Sequence, residues 1–447
     1  MKHCPSCAKI SRRELLTGAA SWAAFMALSR SGEAQTRVLD VTPRNTARAC
    51  IFFQLEGAPS HLDTFDPKDG PWNPPDADLQ EYSGSIVLSK TLFPGLSKFT
   101  NDLCVLHSVE SWELAHDRGQ FYMQTSHPSN PAFVNETPHV GAVIAAERGD
   151  TGPLPAFLAP NGITTMQGAT FLGGRVEPMI APANAGGLTT LAHNYYGAQS
   201  QARFNEKYKL LQDLDAPLRD APFSEAMGVQ ATFYDSARKL MYDPPISAVF
   251  QFSTDDAGRY GGNAFGNAAI VARNAVRARN GTSFVNLRLG GWDTHQNMFD
   301  RTYSPNMYTL CGQLDRALGA LIEDLKASGD LDRTLVVIMG EFGRTPGLLN
   351  ARGGRDHHKT MSAAMLGGGV RGGRAIGKTD ANGDQIVEPG WSMDRKIYLE
   401  DITSTIYSAL GVNWTTTITD TPSGRRFEYV PGALAGKFTE IAEVFGG

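Results

Sequence analysis

The 447-residue sequence has little of several features that mark particular classes of protein. Its formal net charge is only -5, from 41 Lys+Arg against 46 Asp+Glu, and the body of the chain has no long basic run. This excludes nucleic-acid binding that is driven by bulk charge. The longest uncharged apolar stretch, Leu15–Leu28, falls short of the roughly 20 residues that a membrane-spanning helix needs. We therefore expect no nucleic-acid partner and no stable transmembrane anchor.

Cysteine is also scarce, with five residues in the whole chain. Cys4 and Cys7 form a C-x-x-C near the N-terminus, but no second pair follows that would complete a zinc or redox motif. Cys50, Cys104 and Cys311 lie in apolar surroundings and are odd in number. We expect them to be small buried side chains rather than a disulfide framework, with one bridge left open as an alternative.

The N-terminal residues 1–34 have the composition of an export signal. Basic residues, among them Arg12 and Arg13, precede the small-residue-rich segment Leu15–Leu28, and Gly32–Ala34 supplies small residues for cleavage. The run from Ser11 to Leu16 matches the bacterial twin-arginine pattern. We expect a mature chain of residues 35–447, exported to the periplasm or secreted, with the twin-arginine translocase as its partner during export.

The rest of the chain alternates short apolar runs with amphipathic segments. The runs are bounded by turn residues and read as buried strands: Ala49–Leu55, Leu103–Ser108, Ser283–Leu289, Thr334–Gly340 and Met361–Leu366. Helical periodicity is found in Ser200–Leu240, Gly266–Arg279, Pro305–Ser328 and Glu400–Leu410. This pattern predicts an α/β fold with a mostly parallel sheet covered by helices on both faces. Residues 126–200, rich in proline, glycine and asparagine, are predicted to be a loop-rich cap or lid.

Polar clusters stand at or beside the predicted strand ends, where open parallel sheets bind their ligands. Asp293 and His295 follow one strand, Glu341 follows another, and His357 and His358 precede a third. Carboxylates and imidazoles from separate strand ends suit a divalent cation such as zinc, manganese or iron. Each residue taken alone also fits a cap, a loop or a surface charge, and of the two adjacent histidines we expect one to bind metal.

Two further residues follow the first strand. Ser60 is a candidate nucleophile, because backbone N–H groups of a following helix would stabilise an anion there, but it fits equally well as a helix N-cap. Asp63 fits a metal ligand, a helix-start charge, a turn residue or a solvated surface residue.

Arg344 and His116 are candidates for contact with substrate. Arg344, three residues after Glu341, has the planar fork that binds phosphate or sulfate oxygens, with a structural ion pair as the alternative. His116 belongs to a polar cluster, His-Asp-Arg, about eight residues beyond the Leu103–Ser108 strand.

Together these motifs resemble a known family. The leader is followed by GAPSHLDTFDPK from Gly57, GWDTH from Gly291, GEFGRTP from Gly340 and GRDHH from Gly354. The ordered set resembles the bacterial domain of unknown function family 1501 over nearly the whole mature chain. That family is placed with the alkaline phosphatase and sulfatase superfamily, which implies a three-layer α/β/α domain and a hydrolytic site with two metal ions.

The resemblance also implies ligand sets. Asp293, His295 and one of His357 or His358 would hold one ion, and Glu341 with an N-terminal carboxylate such as Asp63 would hold the other. One or two divalent ions, zinc, manganese, iron or calcium, are the implied cofactors.

Three departures from the superfamily pattern stand out. The first strand ends in Glu56-Gly57 where an aspartate is usual, and Glu341-Phe342 stands in place of an Asp-His pair, which removes one imidazole. The Cys/Ser-x-Pro-x-Arg signature of formylglycine sulfatases is absent.

These observations predict an exported metal-dependent hydrolase of phosphate or sulfate esters, acting on a small-molecule or polymeric substrate. Ser60 would be the nucleophile and Arg344 would bind the oxyanion. Two alternatives stay open: a non-catalytic exported protein that binds a glycan or polymer through the same cleft, and a different metal-dependent activity such as phosphoryl transfer or isomerisation.

Overall fold

The computed structural model describes residues 41–149, 152–163, 166–181, 183, 200–220, 238–239 and 241–447. The predicted export signal, residues 1–34, lies outside them, and so does part of the predicted lid.

The described residues form strands and helices that we number in chain order. The strands are β1 (Ala49–Leu55), β2 (Leu79–Tyr82), β3 (Ile86–Ser89), β4 (Cys104–Glu110), β5 (Phe157–Ala159), β6 (Met179–Ile180), β7 (Phe284–Leu289), β8 (Thr334–Met339), β9 (Gly343–Arg344), β10 (His357–His358), β11 (Thr360–Leu366), β12 (Arg374–Ile376), β13 (Lys378–Thr379), β14 (Ile386–Glu388), β15 (Thr417–Ile418) and β16 (Phe427–Glu428). The α-helices are α1 (His116–Thr125), α2 (Val140–Arg148), α3 (Ser200–Asp220), α4 (Pro244–Ser247), α5 (Thr254–Arg259), α6 (Ala264–Ala278), α7 (Met307–Ser328) and α8 (Leu399–Ala409).

Eight strands make one central sheet in the order β12-β4-β11-β8-β1-β7-β5-β6. All neighbouring strands run parallel except β11, which is antiparallel to both β4 and β8. The remaining strands form four antiparallel pairs outside this sheet. The expectation of a mostly parallel sheet is confirmed, and β11 is its exception.

The sheet has a hydrophobic core on each face. Ile51 and Phe53 of β1 belong to the core that contains the apolar stripes of α6 and α7, whereas Cys50 and Phe52 belong to the core that contains residues of α1, α2 and α8. This division follows from the strand period of two, which sends successive side chains to opposite faces. The fold is therefore the three-layer α/β/α arrangement that was predicted.

Local signals fix the ends of the longest helix, α7. Asn306 caps its N-terminus in a capping box with Thr309, and Gly329 closes it in the left-handed conformation with φ 71°. The predicted helix Pro305–Ser328 thus agrees with the structure to within two residues.

The strand order is what positions the site. β1 lies between β7 and β8 and is parallel to both, so the carboxyl ends of these three strands meet at one edge of the sheet. The loops that follow β1, β7 and β8 therefore start next to one another.

The described part of residues 126–200 contains short elements of the fold, and its role as a cap or lid stays a prediction. The helix α2 is buried over most of its length, and β5 and β6 extend the central sheet beyond β7. Proline and glycine in this region separate short elements of the core, which is why no long periodic segment is visible in the sequence.

The cysteine prediction is confirmed, since Cys50, Cys104 and Cys311 are free and buried. Burial raises the pKa of each thiol. Among the described helices none is long and apolar enough to cross a membrane.

Candidate metal centre

The candidate metal ligands lie on loops at the carboxyl edge of the sheet. Asp293 and His295 follow β7, and Glu341 follows β8. His357 lies on β10, whose antiparallel pairing with β9 sets it opposite Arg344. Because β1 lies between β7 and β8, these loops converge in front of its carboxyl end.

Four side chains meet there: His116, Asp293, His295 and His357. Each offers a ligand atom, and these atoms lie within 4.8 Å of one another. Asp293 Oδ1 is the common neighbour, at 3.2 Å from His116 Nε2, 3.0 Å from His295 Nε2 and 3.8 Å from His357 Nε2. The Nε2 atoms of His295 and His357 are 3.2 Å apart. We call these four residues the His–Asp cluster.

Every imidazole of the cluster has an acceptor at its Nδ1 atom. The acceptors are Glu341 Oε1 at 2.9 Å for His116, Asp356 Oδ1 at 2.8 Å for His295 and the Leu114 carbonyl oxygen at 2.6 Å for His357. An Nδ1 that faces such an oxygen carries the proton, so the Nε2 of the neutral ring keeps its lone pair. Histidine ligands in metal sites are oriented by this same kind of hydrogen bond. The three Nε2 atoms are therefore set up for ligation.

Neighbouring charges and burial adjust the protonation of the cluster. The hydrogen bond and charge of Glu341 raise the pKa of His116, and burial lowers the pKa of His357. Burial alone would raise the pKa of Asp293, but the hydrogen bond and charge of Arg344 outweigh it, and this pKa lies below its ordinary value. Asp293 is thus a carboxylate at neutral pH, the form that binds metal.

Glu341 is fully buried behind the cluster. Its Oε1 atom accepts hydrogen bonds from the Gly57 N–H at 3.0 Å and from His116 Nδ1, while Oε2 has no hydrogen-bond partner among the described residues. Position 57 requires glycine, because its φ is 103° and a Cβ there would lie 2.4 Å from the Asp293 backbone nitrogen. Glu341 therefore reaches the cluster through His116, and its second oxygen is left for a cation or a proton.

Arg344 is fully buried beside the cluster. Its guanidinium donates to Asp293 Oδ1 at 2.6 Å and to three backbone carbonyl oxygens, those of Gly57, Ala58 and Arg355. Its Nη1 atom also lies 3.3 Å from His295 Nε2. Arg344 thus forms the ion pair that we named as its alternative role, and its contact with substrate stays a prediction.

Asp63 and His358 lie outside the His–Asp cluster. Asp63 forms a buried ion pair with Arg355, at 2.6 Å between Oδ2 and Nε. His358 Nε2 lies 3.5 Å from Asp384 Oδ1, and its ring stacks on that of His61. Of the two adjacent histidines, only His357 belongs to the cluster.

Ser60 is fully buried at the start of the short 3-10 helix His61–Asp63. It stands at the N-cap position, but its side chain makes no capping hydrogen bond. Its Oγ atom has no partner among the described residues. Neither of its two predicted roles is thus carried by a contact, and its role as a nucleophile stays a prediction.

Sequence reasoning assigned His116 to substrate and missed it as a candidate ligand. Phe342 stands where the resemblance led us to expect an imidazole, and the His116 ring packs 5.0 Å from the Phe342 ring. The available signal was that His116 follows β4, a further strand whose carboxyl end reaches the same edge. Asp356 and Leu114, which hold the other two imidazoles, gave no such signal because their role depends on long-range contacts.

Several solved structures have a similar overall chain path at low sequence identity. An alkaline phosphatase superfamily protein from Vibrio parahaemolyticus is 11% identical, with a TM-score of 0.38 over 85% of this chain and 73% of its own. The sulfatase PsFucS1 from a Pseudoalteromonas species is 11% identical, with a TM-score of 0.34, and the match covers 90% of this chain and 72% of the sulfatase chain. The phosphonate monoester hydrolase of Silicibacter pomeroyi is 12% identical, with a TM-score of 0.40, and the match covers 90% of this chain and 77% of the hydrolase chain.

A search of curated proteins finds no match. A family model, in contrast, matches residues 47–435, which include every strand of the central sheet and the whole His–Asp cluster. The chain therefore belongs to the family DUF1501, whose members are described as proteins of unknown function.

Proposed function

We propose that this chain is an exported metal-dependent hydrolase of phosphate or sulfate esters. The observation that carries the proposal is the His–Asp cluster, in which three imidazoles with acceptors at Nδ1 turn their Nε2 atoms towards one carboxylate oxygen. A divalent ion of mixed nitrogen and oxygen preference, such as zinc, manganese or iron, suits this donor set.

One enclosed atom supports the fit of a cation. His116 Nε2 is buried without a hydrogen-bond partner among the described residues, although Asp293 Oδ1 lies 3.2 Å away. Buried polar atoms without partners are costly, and a cation bound by the His–Asp cluster would satisfy this nitrogen.

The residues of the centre have three proposed roles: holding the ion, orienting the imidazoles and fixing the carboxylate. His116, Asp293, His295 and His357 would hold the ion, which when bound supplies a Lewis acid and lowers the pKa of a water molecule. Glu341, Asp356 and the Leu114 carbonyl orient the three imidazoles. Arg344 fixes Asp293.

We propose a water molecule, rather than Ser60, as the attacking group. The Ser60 hydroxyl is enclosed and makes no hydrogen bond to a base among the described residues, whereas serine needs an adjacent base or metal to act as a nucleophile. The covalent route through Ser60 is the competing mechanism.

The test compares two neighbouring histidines. The folded protein is assayed for bound metal and for hydrolysis of aryl phosphate, phosphonate and sulfate esters, together with His357→Gln and its matched control His358→Gln. We expect His357→Gln to lose most of its metal and activity and His358→Gln to keep both. Bound metal without hydrolysis of any ester would favour the non-catalytic alternative, and equal behaviour of the two variants would contradict the proposed centre.

A further inference from the structure

We propose that the centre holds a single divalent ion, and that the guanidinium of Arg344 supplies the fixed positive charge that a second ion would otherwise bring. This inference rests on the proposed function, since it concerns the same site. It departs from the two ions that the superfamily resemblance implies.

The first step is that Arg344 is a fixed cation. Its side chain is fully buried, and its guanidinium donates hydrogen bonds to Asp293 and to three backbone carbonyl oxygens. Arginine keeps its charge in proteins, and its planar fork holds a defined orientation when several acceptors surround it. A charge held in this way is part of the site rather than a mobile side chain.

The positive charge of Arg344 lies beside the carboxylate of Asp293. Nη2 is 2.6 Å from Asp293 Oδ1, the same oxygen that the imidazoles of His116 and His295 approach at 3.2 and 3.0 Å. The ions of two-metal sites lie about 3.5–4 Å apart and share ligands of this kind. A second ion that used Asp293 as a bridge would therefore meet the guanidinium at close range and be repelled.

The third step is the supply of ligands. Outside the His–Asp cluster, the neighbouring candidates are already engaged: Asp63 with Arg355, His358 near Asp384, and Asp356 with His295. Glu341 Oε2 is a buried carboxylate oxygen beside the centre that has no hydrogen-bond partner among the described residues. One oxygen does not make a second binding site.

The first experiment measures metal stoichiometry in the wild-type protein. The protein is stripped with a chelator and titrated with Mn²⁺, and bound metal is measured by equilibrium dialysis and by low-temperature electron paramagnetic resonance. We expect one Mn²⁺ per chain with the spectrum of an isolated ion. Two ions per chain with an exchange-coupled spectrum would overturn the inference.

The second experiment isolates the charge of Arg344. Arg344→Lys and Arg344→Gln both lose the forked hydrogen bonds, but only the glutamine variant also loses the positive charge. We expect Mn²⁺ to bind Arg344→Gln at least about tenfold more tightly than Arg344→Lys, because the repulsion is removed. Equal affinities would contradict the proposed role.

The matched control is Arg355, a second fully buried arginine that pairs with Asp63 and with backbone carbonyls outside the cluster. Arg355→Gln and Arg355→Lys should bind Mn²⁺ equally. If Arg344→Gln does not fold, as judged by circular dichroism, the wild-type stoichiometry decides alone. One bound ion without ester hydrolysis would refute the proposed function and leave the single-ion inference standing. Two bound ions with ester hydrolysis would support the proposed function and refute the single-ion inference.

Discussion

Two adjacent histidines illustrate how position decides chemistry at the scale of the residue. His357 and His358 are neighbours on β10, and successive side chains of a strand point to opposite sides. His357 therefore reaches the His–Asp cluster, while His358 turns to Asp384 and His61. Residue type is the same in both, and the direction of the Cβ atom makes the difference.

Replacement of the central carboxylate should remove the metal. We expect Asp293→Asn to lose most of its bound ion, because Asp293 Oδ1 is the oxygen shared by all three imidazoles. Asp356→Asn, which alters only the partner of His295, should lower metal affinity by about 10–100-fold and leave the stoichiometry unchanged. Elemental analysis and chelator competition measure both, and full metal content in Asp293→Asn would contradict the assignment.

Removal of the serine hydroxyl tests the attacking group. Because Ser60 is enclosed and its hydroxyl makes no hydrogen bond to any described residue, we expect Ser60→Ala to keep its hydrolysis rate within about threefold. A loss of roughly a thousandfold or more, with normal metal content and folding, would instead establish the covalent route.

At the scale of the element, the helix α1 carries a candidate metal ligand at its first residue and a buried hydrogen bond near its other end. α1 begins at His116, in the cluster, and its Tyr122 donates a hydrogen bond to Glu400 of α8 in the core between helices and sheet. Burial raises the pKa of Glu400 to about 7, although the hydrogen bond from Tyr122 opposes this shift. The two helices are thus joined through a group that titrates near neutral pH.

This link predicts a pH-dependent stability. Because the folded-state pKa of Glu400 is raised, the folded protein binds the proton more tightly than the unfolded chain, and stability falls as pH rises from the unfolded value of 4.5 to about 7. The loss is on the order of 3 kcal/mol by the conversion of pKa differences to free energy. Urea unfolding at pH 5 and pH 8 should show this loss in the wild type and its absence in Glu400→Gln.

The exposed Glu388 provides the control, since Glu388→Gln should retain the pH dependence of the wild type. A Glu400→Gln protein with the same pH dependence as the wild type would argue against the titration of this carboxyl group.

At the scale of the whole molecule, the sheet holds two cores and one polar edge. The loops at that edge come from β4, β7 and β8, and their candidate ligands are brought together only when the sheet is formed. An ion bound there would bind the folded chain and not the unfolded one, and it would stabilise the fold by mass action.

Chelation should therefore lower the melting temperature. At free metal of about a hundred times Kd, the ion adds about 2.7 kcal/mol to the free energy of unfolding. We expect EDTA treatment to lower the melting temperature of the wild type, with recovery on addition of Mn²⁺ or Zn²⁺, and to leave that of Asp293→Asn unchanged. An equal response of the two proteins would indicate that the metal acts elsewhere.

The predicted export signal, residues 1–34, leads to a prediction about the export route. Replacement of Arg12 and Arg13 by lysine should retain the precursor in the cytoplasm, because the receptor reads the guanidinium pair rather than charge alone. Cell fractionation measures this, with Lys9→Arg as the control that keeps normal export. Normal export of the double variant would exclude the twin-arginine route.

The sequence by itself determined the strands, the helices and the candidate residues of the edge. Apolar runs, amphipathic periods and caps are local signals, and they were enough for β1, β7, β8 and α7. The rule that ligands bind beyond the carboxyl ends of parallel strands singled out Asp293, His295, Glu341 and the pair His357 and His358, without choosing between the two histidines.

Only the tertiary structure decided which of these groups meet. His116 supplies a third imidazole beside Phe342. Backbone carbonyl oxygens surround the guanidinium of Arg344, and Asp63 forms an ion pair with Arg355. These outcomes depend on hydrogen bonds between residues far apart in the chain, whose geometry is set by strand order and loop path. The periodicity of a sequence predicts on which face of a helix or strand a residue lies. The residue that contacts it from another element is determined by tertiary packing.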